Sequence, residues 1–216
     1  MPVHISPSLA AAPLDRLGQV VIELETAGAD YIHFDIEDGS FVPMMTLGTK
    51  MIADLRKITR LPFDLHLMMV NPEWILADII RFGANRVSVH FEACPYPRRV
   101  LRQIVSLGAQ AGLAFNPATP IPDLTYLLPY LSFIVVLTTE PEIPDSPFLP
   151  EVLEKVRTGR QAESLDGIEW VVDGGLNPVN LHQVVAAGAD TIVIGRAVFS
   201  DGKISENMAA IKKALV

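Results

Sequence analysis

Four times along the chain a segment with helical periodicity ends in a glycine, and a short β-rich run begins within a few residues. The stops are Ala27-Gly28-Ala29-Asp30, Phe82-Gly83-Ala84-Asn85, Leu107-Gly108-Ala109-Gln110 and Ala187-Gly188-Ala189-Asp190. Glycine enters the left-handed region without a Cβ clash, so it can close a helix and turn the chain straight into a strand. Connections this short are what parallel βαβ units need. Ala-Gly pairs are common, but four of them between helical and strand patterns are not a chance arrangement. The same reading predicts strands at Val3–Ser6, Tyr31–Asp35, Phe63–Met68, Arg86–His90, Gln110–Phe115, Phe133–Thr138, Ile168–Asp173 and Thr191–Ile194. Helical patterns lie between them, for example Leu14–Ala27, Pro72–Phe82, Arg98–Leu107 and Leu181–Ala187. The strands are near-continuous apolar runs, as in a parallel sheet buried on both faces. Eight alternations in 216 residues predict an α/β fold, a single (β/α)8 TIM barrel with parallel strands spanning residues 1–216. An open doubly wound sheet is the structural alternative.

Composition narrows the function classes. Half of the residues are apolar and 19% are charged, which excludes a disordered chain. A net charge of −8 argues against binding nucleic acid or an anionic membrane. The lone Cys94 excludes an internal disulfide framework and reads as a small buried hydrophobe. No basic-then-apolar signal opens the sequence and no apolar run is long enough to span a bilayer, so a cytoplasmic protein is expected.

Polar residues gather at the predicted strand ends. His33 and Asp35 share one face of the second strand, because side chains alternate with period two. His66 lies near the end of the third strand and Asp173 ends the seventh. In a parallel barrel all C-terminal strand ends open on one face, where active sites are built. A lone strand histidine is usually a satisfied core group, and H-x-D alone is a weak signal. Four such groups around one mouth are harder to dismiss, because buried charge is expensive unless it is paired or metal-bound. Two imidazoles and two carboxylates suit one divalent ion such as Zn²⁺, Fe²⁺, Mn²⁺ or Co²⁺.

The residues also carry a family resemblance. His33-Phe34-Asp35-Ile36-Glu37-Asp38-Gly39-Ser40-Phe41-Val42-Pro43 resembles the signature of ribulose-phosphate 3-epimerases. So do Ile5-Ser6-Pro7-Ser8-Leu9, Pro13-Leu14-Asp15-Arg16-Leu17, Asp64-Leu65-His66-Leu67-Met68, Asn116-Pro117-Ala118-Thr119-Pro120 and Val172-Asp173-Gly174-Gly175. The resemblance implies a TIM barrel with His33, Asp35, His66 and Asp173 as metal ligands. It also implies Asp35 and Asp173 as the acid–base pair, Ser8 and Met68 as substrate contacts, a homo-oligomer, and a sugar phosphate as the small-molecule partner. Epimerisation at C3 of a 2-ketose removes a proton on one face and returns one on the other. The resulting carbanion is accessible as a cis-enediolate, whose oxygens a divalent cation can chelate. Two carboxylates on opposite sides then exchange acid and base roles, and no organic cofactor is needed.

A substrate phosphate would find backbone amides in the loops after strands seven and eight, the habitual place in this fold. Those loops hold Gly174-Gly175, with Asn177-Pro178 as an expected helix start, and Gly195-Arg196. The plainer alternative is that these glycines only permit tight turns. Arg196, where the family usually has a small residue, either adds a cation for the phosphate or forms a rim salt bridge.

Other positions depart from the family pattern. The segment after strand six, Thr139-Glu140-Pro141-Glu142-Ile143-Pro144-Asp145-Ser146-Pro147-Phe148, has three prolines, three acidic residues and no glycine. Prolines remove amide donors and stiffen the chain, so a glycine-rich closing lid is not expected between Glu140 and Pro147. Glu37 and Leu137 replace the usual methionines, and Ser40 a usual histidine. Glu37 is either a solvated loop carboxylate or, if the strand continues that far, an acceptor for a sugar hydroxyl beside the metal. Three readings stay open. They are D-ribulose 5-phosphate/D-xylulose 5-phosphate epimerisation, epimerisation of another ketose or ketose phosphate, and a non-catalytic metal-binding barrel acting as a scaffold.

Overall fold

The structure, a computed structural model, describes residues 2–141, 143 and 146–215. Its strands are β1 (His4–Pro7), β2 (Ile32–Glu37), β3 (Phe63–Met68), β4 (Ala84–His90), β5 (Gln110–Phe115), β6 (Phe133–Leu137), β7 (Glu169–Asp173) and β8 (Thr191–Ile194). All pairings are parallel, in the order β1-β8-β7-β6-β5-β4-β3-β2. The two ends of that series meet, because Ser8 bridges His33 and the amides of Asp30 and Tyr31 donate to the Ile5 carbonyl. This is a TIM barrel. Outside the sheet lie α1 (Leu17–Thr26), α2 (Thr49–Leu55), α3 (Leu76–Arg81), α4 (Pro97–Ser106), α5 (Glu154–Gln161), α6 (Leu181–Ala187), α7 (Arg196–Phe199) and α8 (Ile204–Ala214).

The glycine stops behave as expected. Gly28, Gly83, Gly108 and Gly188 have φ of 73°, 117°, 95° and 98°. Ala29, Ala109 and Ala189 each donate back to the carbonyl five residues earlier, the Schellman closure of a helix. The fourth residue of the pattern has a role the sequence reading left unassigned. Asp30, Asn85 and Asp190 each accept the first free amide of a neighbouring strand, from Ile5, Phe63 and Trp170, at 2.8 Å. Helix end, turn and strand start are therefore tied by one short motif.

Three expectations need correction. Between β5 and β6 there is no α-helix among the described residues, only a 3₁₀ turn at Leu128–Tyr130. Pro117, Pro120, Pro122 and Pro129 crowd that crossover and deny a helix its amide donors. The helical patterns from Leu14 and Pro72 open as 3₁₀ turns, with α1 and α3 starting at Leu17 and Leu76. Finally, β2 continues to Glu37, which pairs with Met68.

Outward-facing strand residues such as Phe34, Leu65, Val87 and Trp170 join the helices in one apolar core. The barrel interior is separate. Its β1–β4 side carries buried Ser6, His33, Asp35, Glu37, Asp64, His66, Arg86, Ser88 and His90. Its β5–β8 side is an apolar cluster of Ala114, Phe133, Val135, Leu137, Val171 and Val193.

Candidate metal and substrate site

At the C-terminal mouth, ligating atoms of His33, Asp35, His66 and Asp173 all lie within 4.8 Å of one another. Strand register explains most of this. Asp35 is level with His66 across β2 and β3, and His33 precedes Asp35 on the same inward face. Asp173 arrives from β7. His33 Nε2 is 3.1 Å from Asp35 Oδ1, and His66 Nδ1 is 3.4 Å from the same oxygen and 3.6 Å from Asp173 Oδ2. The Ser8 hydroxyl donates to Asp35 Oδ2 at 2.5 Å. That bond is available because Ser8 closes the barrel between β8 and β2 and caps the turn at Leu9–Ala11.

Electrostatics show what the cluster lacks. Burial alone pushes the His66 imidazole down, but the carboxylates of Asp173 and Asp35 outweigh it and lift it to about 9. Burial likewise opposes protonation of His33, and the charges of Asp35 and Asp64 raise it well above its ordinary value. Asp35 is held far below the usual carboxylate range against its burial, first by the charge of His33. The carboxylates of Asp35, Asp64 and Asp173 thus draw a proton onto each imidazole. One divalent cation would bring the same two charges. His66 Nδ1 is buried without a hydrogen-bond partner and faces both carboxylates, so its lone pair is placed for such an ion. The donor set, two imidazole nitrogens and two carboxylates, fits Zn²⁺, Fe²⁺, Mn²⁺ or Co²⁺.

A cleft of about 650 Å³ opens above the cluster. Asp35 and Asp173 line it, and so do Ser8, Met68, Gly174, Gly175, Gly195 and Arg196. The imidazoles sit deeper, with His33 and His66 no more than 1% exposed. Gly174 and Gly175 have φ of 111° and 68°, and a Cβ on Gly174 would come within 2.9 Å of the Thr139 amide nitrogen. These glycines therefore do permit a tight turn and close approach of the β6 loop, the plainer of the two roles considered. The expected helix start at Asn177 shifts: Asn177 Oδ1 accepts from the Val179 amide, and α6 begins at Leu181. Within the Pro-rich segment, Thr139, Glu140, Pro141, Ile143 and Ser146 line the cleft, while Glu142, Pro144 and Asp145 lie outside the described residues.

Glu37 is not a solvated loop carboxylate. It is 5% exposed; its Oε2 accepts from the Thr46 amide at 2.5 Å, and Oε1 is buried without a partner. Burial raises its pKa, partly offset by the Thr46 amide. Asp38 makes this enclosure by accepting the amides of Ser40, Phe41 and Val70, which draws the loop after β2 onto the loop after β3.

Several residues around the cluster went unread in the sequence. Asp64 accepts from His33 Nδ1 at 2.8 Å and pairs with Arg86, which pairs with Glu169. His90 Nε2 is 2.9 Å from His66 Nε2, and His90 Nδ1 is 3.2 Å from Glu92. Burial pushes His90 down to about 4, so it is neutral. With its Nδ1 proton on Glu92, its Nε2 accepts from His66, which leaves His66 Nδ1 to face the carboxylates. The available signal was charge inside apolar strands, since Asp64 and Glu169 each stand between two hydrophobic residues and Arg86 opens the run to Val87 and Val89. Cys94 is buried, and burial lifts its thiol to about 12, as befits a packing residue.

Comparison with known proteins agrees with these features. The model of the ribulose-phosphate 3 epimerase family matches residues 4–199. A ribulose-phosphate 3-epimerase of Synechocystis sp. is 41% identical over 216 residues, covering 98% of this chain and 94% of its own. The chloroplastic ribulose-5-phosphate-3-epimerase of Arabidopsis thaliana is 38% identical, covering 97% of this chain and 76% of its own. The solved phosphoribosyl anthranilate isomerase of Thermus thermophilus superposes with a TM-score of 0.71, covering 99% of this chain and 98% of its own. At 13% identity that likeness concerns the fold alone. Matched by the family model along most of its length, and by relatives along nearly all of it, the chain belongs to the ribulose-phosphate 3-epimerase family of isomerases.

Proposed function

We propose that the protein epimerises a ketose phosphate at C3, interconverting D-ribulose 5-phosphate and D-xylulose 5-phosphate, with one divalent cation at His33, Asp35, His66 and Asp173. The observation that carries this reading is that Asp35 and Asp173 reach one cleft from β2 and β7 beside a buried, unpartnered imidazole nitrogen. A cation held there supplies positive charge next to the substrate oxygens and makes the proton at C3 easier to remove. One carboxylate takes the C3 proton and the other returns a proton to the opposite face. Ser8 keeps Asp35 Oδ2 turned to the cleft. Met68 and Leu137 line the cleft and keep water from the reacting carbon. Backbone around Gly174–Asn177 and Gly195–Ala197 lines the cleft and would receive the phosphate, with Arg196 on the same rim.

Among the described residues no helix is long and apolar enough to cross a membrane, and we take the site of action to be the cytoplasm. The test is deuterium incorporation at C3 of ribulose 5-phosphate in D₂O, with added cation and after chelation. Absence of exchange with any phosphorylated pentulose would sink the reading. A second reading, epimerisation of a different ketose, is favoured by the Pro-rich segment after β6, whose Glu140, Pro141, Ile143 and Ser146 line the cleft. An acidic wall with few free amides suits sugar hydroxyls better than a phosphate, and exchange confined to another ketose would decide for it.

A further inference from the structure

We propose that Asp64 is a positioning residue that fixes the tautomer of His33, and that the Arg86–Glu169 pair at the N-terminal end of the barrel holds Asp64 in place. The inference rests on the metal-site reading only in taking His33 Nε2 as a ligand atom. His33 and Asp64 are partners in the register of β2 and β3, as are Asp64 and Arg86 in that of β3 and β4. The three side chains are no more than 2% exposed.

Two hydrogen-bond donors reach the Asp64 carboxylate, His33 Nδ1 at 2.8 Å and the Ser6 hydroxyl at 3.0 Å, and Arg86 Nε stands 3.1 Å away as its ion-pair partner. Arg86 reaches the two oxygens of Glu169 at 2.9 and 3.1 Å, and Glu169 in turn accepts from Thr191 at 2.6 Å. An ionised carboxylate only accepts, so His33 Nδ1 carries a proton, and the neutral ring of the cation-loaded protein has its lone pair on Nε2. Nε2 is then the nitrogen left for the cleft side, where it faces Asp35. A buried imidazole free to choose its tautomer would present a lone pair only part of the time. The carboxylate removes that freedom and raises the basicity of the ligating nitrogen.

Asp64→Asn separates this role from plain packing. The amide keeps the shape but can donate to His33 Nδ1 and drive the proton to Nε2. Expected in the folded variant is a 10- to 100-fold weaker uptake of Zn²⁺ or Co²⁺ by calorimetry, roughly the loss typical of such outer contacts. Glu169→Gln, which leaves the His33–Asp64 bond intact, should weaken uptake less. The wild-type protein gives a readout that needs no variant: ¹⁵N NMR of the zinc-loaded form should show the His33 proton on Nδ1. A His33 proton on Nε2 overturns the proposal, and so does an Asp64→Asn protein that is folded and binds cation within about twofold of wild type. If Asp64→Asn does not fold, the wild-type spectrum decides alone. Failure of wild type to take up any divalent cation defeats the metal site and this proposal together. Tight uptake without C3 exchange defeats only the epimerase reading.

Discussion

Inside the barrel, the half built by β1–β4 carries Ser6, His33, Asp35, Asp64, His66, Arg86 and His90, whereas the half built by β5–β8 carries Ala114, Phe133, Val135, Leu137, Val171 and Val193. The apolar half has only to fill volume. Gly112 shows how closely it does so, since a Cβ there would lie 2.3 Å from the Phe133 ring. In the polar half each group is oriented by its neighbours, because an unmatched buried charge or donor is costly. At the N-terminal end the charges answer one another: Asp64, Arg86 and Glu169 pair, and the guanidinium lies 4.0 Å from the Phe133 ring centre. At the mouth they do not, and the deficit is positive charge. Asp173 belongs to β7 but faces the polar half. It is also the less enclosed carboxylate, 17% exposed at the side chain against 8% for Asp35. One carboxylate is thus braced by Ser8 and His33 while the other has more freedom, a suitable division for two groups that exchange acid and base roles.

The largest expected effect comes from the carboxylate that reaches the mouth from β7. Asp173→Asn should lower C3 proton exchange by about 10²- to 10⁴-fold while the thermal midpoint stays near wild type. Turnover at wild-type rates would remove Asp173 from the acid–base pair. Next, Gly112→Ala tests whether the apolar half is a packing problem only. The Phe133 ring must move, and denaturant titration should show a loss of about 1–3 kcal/mol. An unchanged midpoint would mean the ring has room that the structure does not give it.

The charge deficit at the mouth makes stability depend on pH. His66 is raised from 6.5 to about 9, so in cation-free protein its contribution is fully present below 6.5 and is lost as pH rises through about 9. Melting temperature should fall across that interval without cation, and much less with zinc bound, because the cation replaces the protons. Equal pH profiles with and without zinc would contradict the charge argument. The smallest effect is expected at Glu37, whose Oε1 has no partner and which feels the charge of Asp35. Glu37→Met should raise the midpoint by about 2–4 °C if relieving the buried carboxylate outweighs losing the Thr46 contact. A lower midpoint would mean that Glu37 Oε1 is satisfied after all.

The sequence alone determined the barrel and the strand each site residue occupies. Gly28, Gly83, Gly108 and Gly188 marked helix ends through backbone chemistry that acts locally, and period-two alternation placed His33 and Asp35 on one face. Tertiary structure decided everything that depends on register between strands far apart in the chain. Ser8 reaches Asp35 because β1 and β2 close the barrel, and Asp64, Arg86 and Glu169 meet because three strands bring their first residues together. Glu37 is buried because Asp38 pulls two loops together over it, which no local pattern announces. Alternation says which way a side chain points. Only the pairing and tilt of strands say what it meets, and that contact sets its charge, its tautomer and its chemistry.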